Sequence, residues 1–323
     1  MFTLDDLDYA SALLRPILPP TPQYEWPLLS RRYGTSIVVK HENHTSIGSF
    51  KVRGGLTYLH WLLAQRSDIK GIICATRGNH GQSIAYSGRH FGVKVVVVVP
   101  RGNATEKNRA MASLGAELVE HGADFDDAKE HAEQIAAEYG FVYVPSFHPQ
   151  LVSGVATYAR ELFTAVPDLD VVYAPIGLGS GICGIIQTRN LLNLQTEVVG
   201  VVSRNAEAYR LSFEAGHPVT TNSSATFADG MAVRAPDPEA FKFIRQGVAR
   251  IVAVSEDEIA EAIRCYHEDT HNLAEGAGAA ALAGVAQERA RIAGRKVGVI
   301  LSGANIDRDW AACVLAGGTP RPR

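Results

Sequence analysis

The chain has little of what several functional classes require. Its 323 residues hold four cysteines, Cys74, Cys183, Cys265 and Cys313, far apart and each in an apolar stretch. No CxxC pair offers a zinc or redox centre, so the pattern reads as free buried thiols in a reducing compartment. Neither sign of charge dominates: 31 Lys and Arg against 34 Asp and Glu leave −3, with no broad field to hold nucleic acid or an anionic membrane. The longest strongly apolar run, Val95 to Val99 before Pro100, falls far short of the roughly 20 residues that cross a bilayer. The acidic opening, Met-Phe-Thr-Leu-Asp-Asp-Leu-Asp, lacks the basic-then-apolar order of a secretion signal. No repeat or low-complexity segment stands out. These absences lead to the expectation of a cytoplasmic protein with neither nucleic acid nor membrane as partner.

What is present is a 46% hydrophobic chain in which short β-branched runs alternate with Ala-rich or amphipathic stretches. This is the pattern of an α/β protein with parallel strands. Strands are expected at Ser36–His41, Gly71–Thr76, Lys94–Val99, Glu117–His121, Phe141–Val144, Val171–Pro175, Glu197–Ser203, Arg250–Val254 and Lys296–Leu301. Ala104–Leu114 and Phe125–Tyr139 read as helices, the second capped by Asp124 and stopped by Gly140. Nine strands are many for one sheet, which suggests two: a small domain of residues 50–148 and a large one of residues 1–49 and 149–323. Three strands run into polar clusters, 76–80, 177–181 and 302–305. Because ligands bind at the carboxyl ends of strands in open α/β sheets, these point to one shared cleft.

Three constellations compete for the chemistry. Gly177-Leu178-Gly179-Ser180-Gly181 follows a strand and opens a helical stretch, Ile182 to Leu192, where backbone amides can cradle a phosphate. Gly179, Gly181 and Gly184 also satisfy GxGxxG, with Ser203-Arg204 ending the next strand, as an NADP oxidoreductase would need. His267-Glu268-Asp269-Thr270-His271 is a literal HExxH in a helical stretch from Asp257 to about Leu273, the motif of a zinc hydrolase, without the metzincin extension. Lys51 begins a helix running to Leu63. A lysine is a Schiff-base nucleophile only when burial or a cationic neighbour keeps its amine neutral.

Taken in order, from Lys40 and Glu42 through Gly48-Ser49-Phe50-Lys51-Val52-Arg53-Gly54, Thr76-Arg77-Gly78-Asn79-His80, the 177–181 loop, Ala228-Asp229-Gly230, Glu275–Ala279 and Leu301–Asp307, the chain resembles the serine/threonine dehydratase family. These are fold-type II pyridoxal-phosphate enzymes, tryptophan synthase β-like, a group that includes serine racemases. The resemblance implies two parallel-type α/β domains with the cofactor, pyridoxal 5′-phosphate, in the cleft between them. It makes Lys51 the Schiff-base lysine and general base, packs Phe50 against the cofactor ring and sets Asn79 on its phenolic oxygen. Gly177, Leu178, Gly179, Ser180 and Gly181 would hold its phosphate, and Ser302 would face the pyridine nitrogen. Thr76, Arg77, Gly78, Asn79 and His80 would bind the substrate. The implied reaction is dehydration and deamination of a β-hydroxy amino acid of the L-threonine or L-serine type to a 2-oxo acid and ammonia. A β-replacement synthase or a racemase of the same fold is the alternative, and a homodimer is the implied assembly.

Departures from the pattern narrow the expectation. Arg77 stands where typical members have Ala or Ser, and in racemases that Ser is the second acid/base; arginine stays protonated and is a poor proton shuttle. It could clamp a carboxylate, that of the substrate backbone or of a side chain as in 3-hydroxyaspartate, or pair with Asp229 or Glu275. The run Gly200–Ala208 has Val202 and Ala208 where cation-binding members carry carboxylates, so no metal is expected there. Tyr24 and Trp26 could shape a substrate pocket or pack in the core. The short stretch after the Ser302 segment leads to the expectation of no isoleucine-sensing domain.

Overall fold

The computed structural model describes residues 1–66 and 68–322. In chain order its strands are β1 Gln23–Glu25, β2 Ser36–His41, β3 Ile72–Ala75, β4 Val95–Val99, β5 Glu117–Glu120, β6 Val142–Tyr143, β7 Val171–Pro175, β8 Glu197–Ser203, β9 Arg250–Val254 and β10 Lys296–Leu301. The last nine fall at the expected runs. β1 is a three-residue polar strand, antiparallel to β2, too short to show a period of two.

Two sheets form. One has the order β1-β2-β10-β7-β8-β9 and is parallel except for β1; the other is β5-β4-β3-β6, all parallel. Pairing of β2 with β10 brings the two ends of the chain into the larger sheet, whereas the smaller one is built from residues 72–143. Interior parallel strands are covered on both faces, and the five valines of β4 are accordingly all buried. Edge strand β5, Glu-Leu-Val-Glu, instead turns both glutamates to solvent.

Local signals set the helices between strands. Asp124 accepts the amides of Asp126 and Asp127 and opens the helix Phe125–Tyr139, which Gly140 ends with φ +70°. The helix Pro149–Ala165 packs against both Lys51–Gln65 and Ser180–Leu191, tying the sheets together. The helix through the HExxH motif spans Glu256–Thr270 and stops short of the expected end: His271 has φ +54° and caps it. The His271 amide closes the last turn on the His267 carbonyl at 3.0 Å. No described helix is long and apolar enough to cross a membrane.

Buried charge fixes how the lobes meet under Lys51. Arg53, 1% exposed, donates to both carboxylate oxygens of Glu42 at 2.8 and 3.0 Å and to those of Glu161 at 2.7 and 2.9 Å. Lys40 Nζ adds a 2.6 Å bond to Glu161. Two cations thus meet two anions, and each charge is compensated. The family-like Lys40, Glu42 and Arg53 form this structural lock, which orients the first turn of the helix that carries Lys51.

Candidate active site

The polar clusters after β3, β7 and β10 do converge. The Phe50 amide donates to the Ser302 carbonyl at 3.1 Å, and Ser49 bridges Gly303. Asn305 Nδ2 donates to Asn79 Oδ1 at 2.8 Å. Lys51 Nζ lies 3.3 Å from Ser180 Oγ and 5.2 Å from the Phe50 ring centroid. Residues from four separate parts of the sequence are thus linked around the turn that carries Lys51.

The Lys51 amine has no carboxylate partner among the described residues. Lys51 keeps some exposure toward the cleft, yet burial of its amine lowers the pKa from 10.5 to about 8. A cation gains nothing from apolar surroundings without a counter-charge, so the neutral form is favoured. Burial, and then the charge of Lys51, push His80 down to about 3; it is neutral, and its Nε2 is buried without a partner.

The loop after β7 is shaped to take an anion. Gly179 has φ +104°, a conformation open to glycine, and precedes the helix Ser180–Leu191, whose opening amides have no earlier turn to bond to. A Cβ on Gly177 would lie 2.2 Å from the Gly230 carbonyl oxygen. In the loop after β3, Thr76 Oγ1 accepts the Gly78 and Gly81 amides at 2.9 and 3.3 Å, leaving its own hydrogen to donate. An amine that titrates near neutrality facing a glycine-lined helix N-terminus fits an aldehyde-and-phosphate cofactor.

Residues beyond the expected set complete the site. Asn79 Nδ2 donates to Glu275 Oε1 at 2.6 Å. Burial raises the Glu275 carboxyl to about 7, against the lowering influence of Lys107 and Asn79. Lys107, buried beside Gly78, pairs with Asp229 at 2.7 Å. In sequence Lys107 was one polar residue on a surface helix, and no local signal marked it. Because Asp229 and Glu275 are engaged in this way, Arg77 does not pair with either; it has no hydrogen-bond or ion-pair partner among the described residues.

The competing motifs dissolve into structure. Glu268 and Asp269 both bind Arg32, and no group of three or more His, Cys, Asp and Glu among the described residues could hold a metal. Val202 and Ala208 are buried, and Glu207 is bound by Arg210. Arg204 lies toward Glu258. Tyr24 and Trp26 sit around the β1 edge, Trp26 Nε1 donating to His41 Nε2 at 2.9 Å.

Two α/β lobes with a buried lysine facing a phosphate-type loop define a class of cofactor-dependent enzyme. A family model, "Pyridoxal-phosphate dependent enzyme", matches residues 14–303. The chain belongs to this family and, within it, to the fold-type II serine/threonine dehydratase group. It is 35% identical to a biosynthetic L-threonine dehydratase of Salmonella typhimurium, across 93% of this chain and 60% of that protein. It is 30% identical to the L-threo-3-hydroxyaspartate ammonia-lyase of Saccharomyces cerevisiae, across 98% and 97%. The processed threonine deaminase isoform 2 of Solanum lycopersicum superposes with TM-score 0.89 at 29% identity, over 98% of this chain and 95% of the other. The chain spans about three-fifths of the length of the Salmonella enzyme.

Proposed function

We propose that the protein is a pyridoxal-phosphate-dependent ammonia-lyase that eliminates water from a β-hydroxy amino acid and releases a 2-oxo acid and ammonia. The observation that carries this reading is the enclosed Lys51 amine, with no acid beside it, opposite the 177–181 loop. When bound, the cofactor supplies an electron sink for the charge that develops at the substrate Cα.

The residues divide the remaining work. Lys51 Nζ, whose amine titrates near pH 8, takes the α-proton as general base. Loop amides and Ser180 would hold the phosphate, Phe50 would pack on the ring, and Asn79, fixed between Glu275 and Asn305, would offer its remaining amide hydrogen to the phenolic oxygen. Ser302, a neutral hydroxyl, would face the ring nitrogen without enforcing its protonation, which suits elimination. Thr76, Gly78 and His80 frame the substrate carboxylate.

Arg77 sets the substrate. The Thr76 hydroxyl and the helix-opening Asn79 and His80 amides would serve the α-carboxylate, so a guanidinium at the same strand end with no partner among the described residues is free for a second carboxylate. That supports 3-hydroxyaspartate beside serine and threonine, in keeping with what the yeast relative is named for. Because arginine keeps its proton, it also argues against racemisation.

The division into a small domain of residues 50–148 and a large one of 1–49 and 149–323 belongs to the same proposal. So do the homodimer and the cytoplasmic setting, checked by sedimentation and by cell fractionation. The test is Lys51→Ala. The native protein should show a visible band that borohydride removes, leaving the cofactor on Lys51, and the variant should show neither band nor 2-oxo acid release. Turnover that persists in the variant refutes the assignment.

A further inference from the structure

Two tyrosines that bear on the phosphate loop from behind are not explained by catalysis. Tyr209, on the helix Ala208–Ala215, donates its hydroxyl to the Leu178 carbonyl at 3.0 Å and accepts the Asp237 amide at 3.1 Å. Tyr158, on the helix Pro149–Ala165, donates to the Gly181 carbonyl at 3.1 Å and packs edge-on against Phe50, centroids 6.0 Å apart. Each is 1% exposed. Burial raises both phenols well above their ordinary range, so each remains a donor at any working pH.

We propose that Tyr158 and Tyr209 are positioning residues that hold the 177–181 loop from its two ends and aim its amides at the cofactor phosphate. The reason is peptide geometry. In a trans planar peptide the C=O and the following N–H point in opposite directions. Drawing the Leu178 carbonyl back to Tyr209 turns the Gly179 amide forward, and drawing the Gly181 carbonyl to Tyr158 does the same for Ile182. Gly179, with φ +104°, has no side chain to lock it, and a glycine-rich turn of this kind is free to rotate its peptides. The tyrosines supply from outside the rigidity that the loop composition lacks. Neither touches the reacting atoms.

The inference rests on the reading of this loop as the phosphate cradle, and its test separates the two. The cofactor-free full chain and its Tyr158→Phe and Tyr209→Phe variants are titrated with pyridoxal phosphate and with pyridoxal, which lacks the phosphate. Losing the bond to the loop carbonyl should weaken pyridoxal-phosphate binding about fivefold, leave pyridoxal binding unchanged and shift the phosphorus resonance of the bound cofactor. An equal loss for both ligands makes the tyrosines merely structural and overturns the proposal, as does no loss for either. Binding of pyridoxal by each variant shows that it has folded. If the loop reading itself is wrong, the unmodified chain will show no preference for the phosphorylated ligand, whatever the variants do.

Discussion

Glu275 makes the protein's stability depend on pH in a calculable way. Its carboxyl is 5% exposed, accepts one bond from Asn79 and titrates at about 7 instead of 4.5, burial being the main cause. An acid whose folded pKa is raised binds its proton more tightly in the native state than in the unfolded one. Its contribution is therefore fully present below pH 4.5 and lost as pH climbs through 7. At 1.36 kcal/mol per pH unit the whole loss is about 3 kcal/mol, of which about 2.5 kcal/mol falls between pH 5 and 8. Glu275→Gln replaces the acid with a neutral side chain of the same shape that still accepts the Asn79 bond. Every other titrating group is common to both proteins, so the difference between their stabilities isolates this one. Urea unfolding of the cofactor-free proteins at half-unit steps should show the variant gaining on the parent by about 2.5 kcal/mol across that range. A difference that stays flat from pH 5 to 8 refutes the argument that burial controls this carboxyl.

Three further outcomes are expected. Arg53→Met leaves Glu42 and Glu161 without their shared guanidinium and should cost about 3–5 kcal/mol in urea unfolding; a cost below about 1 kcal/mol would show that the lock is dispensable. Arg77→Ala should lower kcat/KM for 3-hydroxyaspartate about tenfold or more, the worth of a charge-assisted pair, with a smaller effect on serine and threonine; an equal loss on all three assigns Arg77 to the α-carboxylate. Gly177→Ala places a methyl 2.2 Å from the Gly230 carbonyl oxygen, and the displacement should cost about 1–3 kcal/mol and loosen cofactor retention on dialysis. Unchanged retention would show that the loop tolerates the shift.

The sequence made the strands legible because a buried parallel strand is a nearly pure β-branched run, as in Val95–Val99. Strand order was not legible, since pairing of β2 with β10 spans about 260 residues and leaves no local trace. Gln23–Glu25 was invisible for the opposite reason, as an edge strand needs few apolar residues. The end of the HExxH helix depends on His271 taking φ +54°, a conformation usually announced by glycine, and none stands there. The ordered clusters could be placed at one cleft because strand ends collect ligands. The partner of each polar residue could not be assigned, and the offer of Asp229 or Glu275 to Arg77 went instead to Lys107 and Asn79.

Lys51 and Lys107 show why those partners decide function. Both are lysines beside the same cleft, and burial alone would lower both. Beside Lys107 the carboxylates of Asp229 and Glu275 outweigh burial and raise its pKa. It is a permanent cation, and its 2.7 Å bond to Asp229 ties the segment after β4 to the turn that lies against the 177–181 loop. Lys51 faces Ser180 and Phe50 with no carboxylate partner among the described residues, so burial acts unopposed and its pKa falls to about 8. Only an amine of that second kind is neutral often enough to attack a carbonyl or take a proton. Placing an acid beside Lys51, as Ser180→Asp would, should turn it into a second Lys107: folded, charged and unable to form the borohydride-reducible band with pyridoxal, which has no phosphate for the new acid to repel. If Ser180→Asp still forms that band at pH 7 as fully as the parent, the missing acid is not what makes Lys51 reactive.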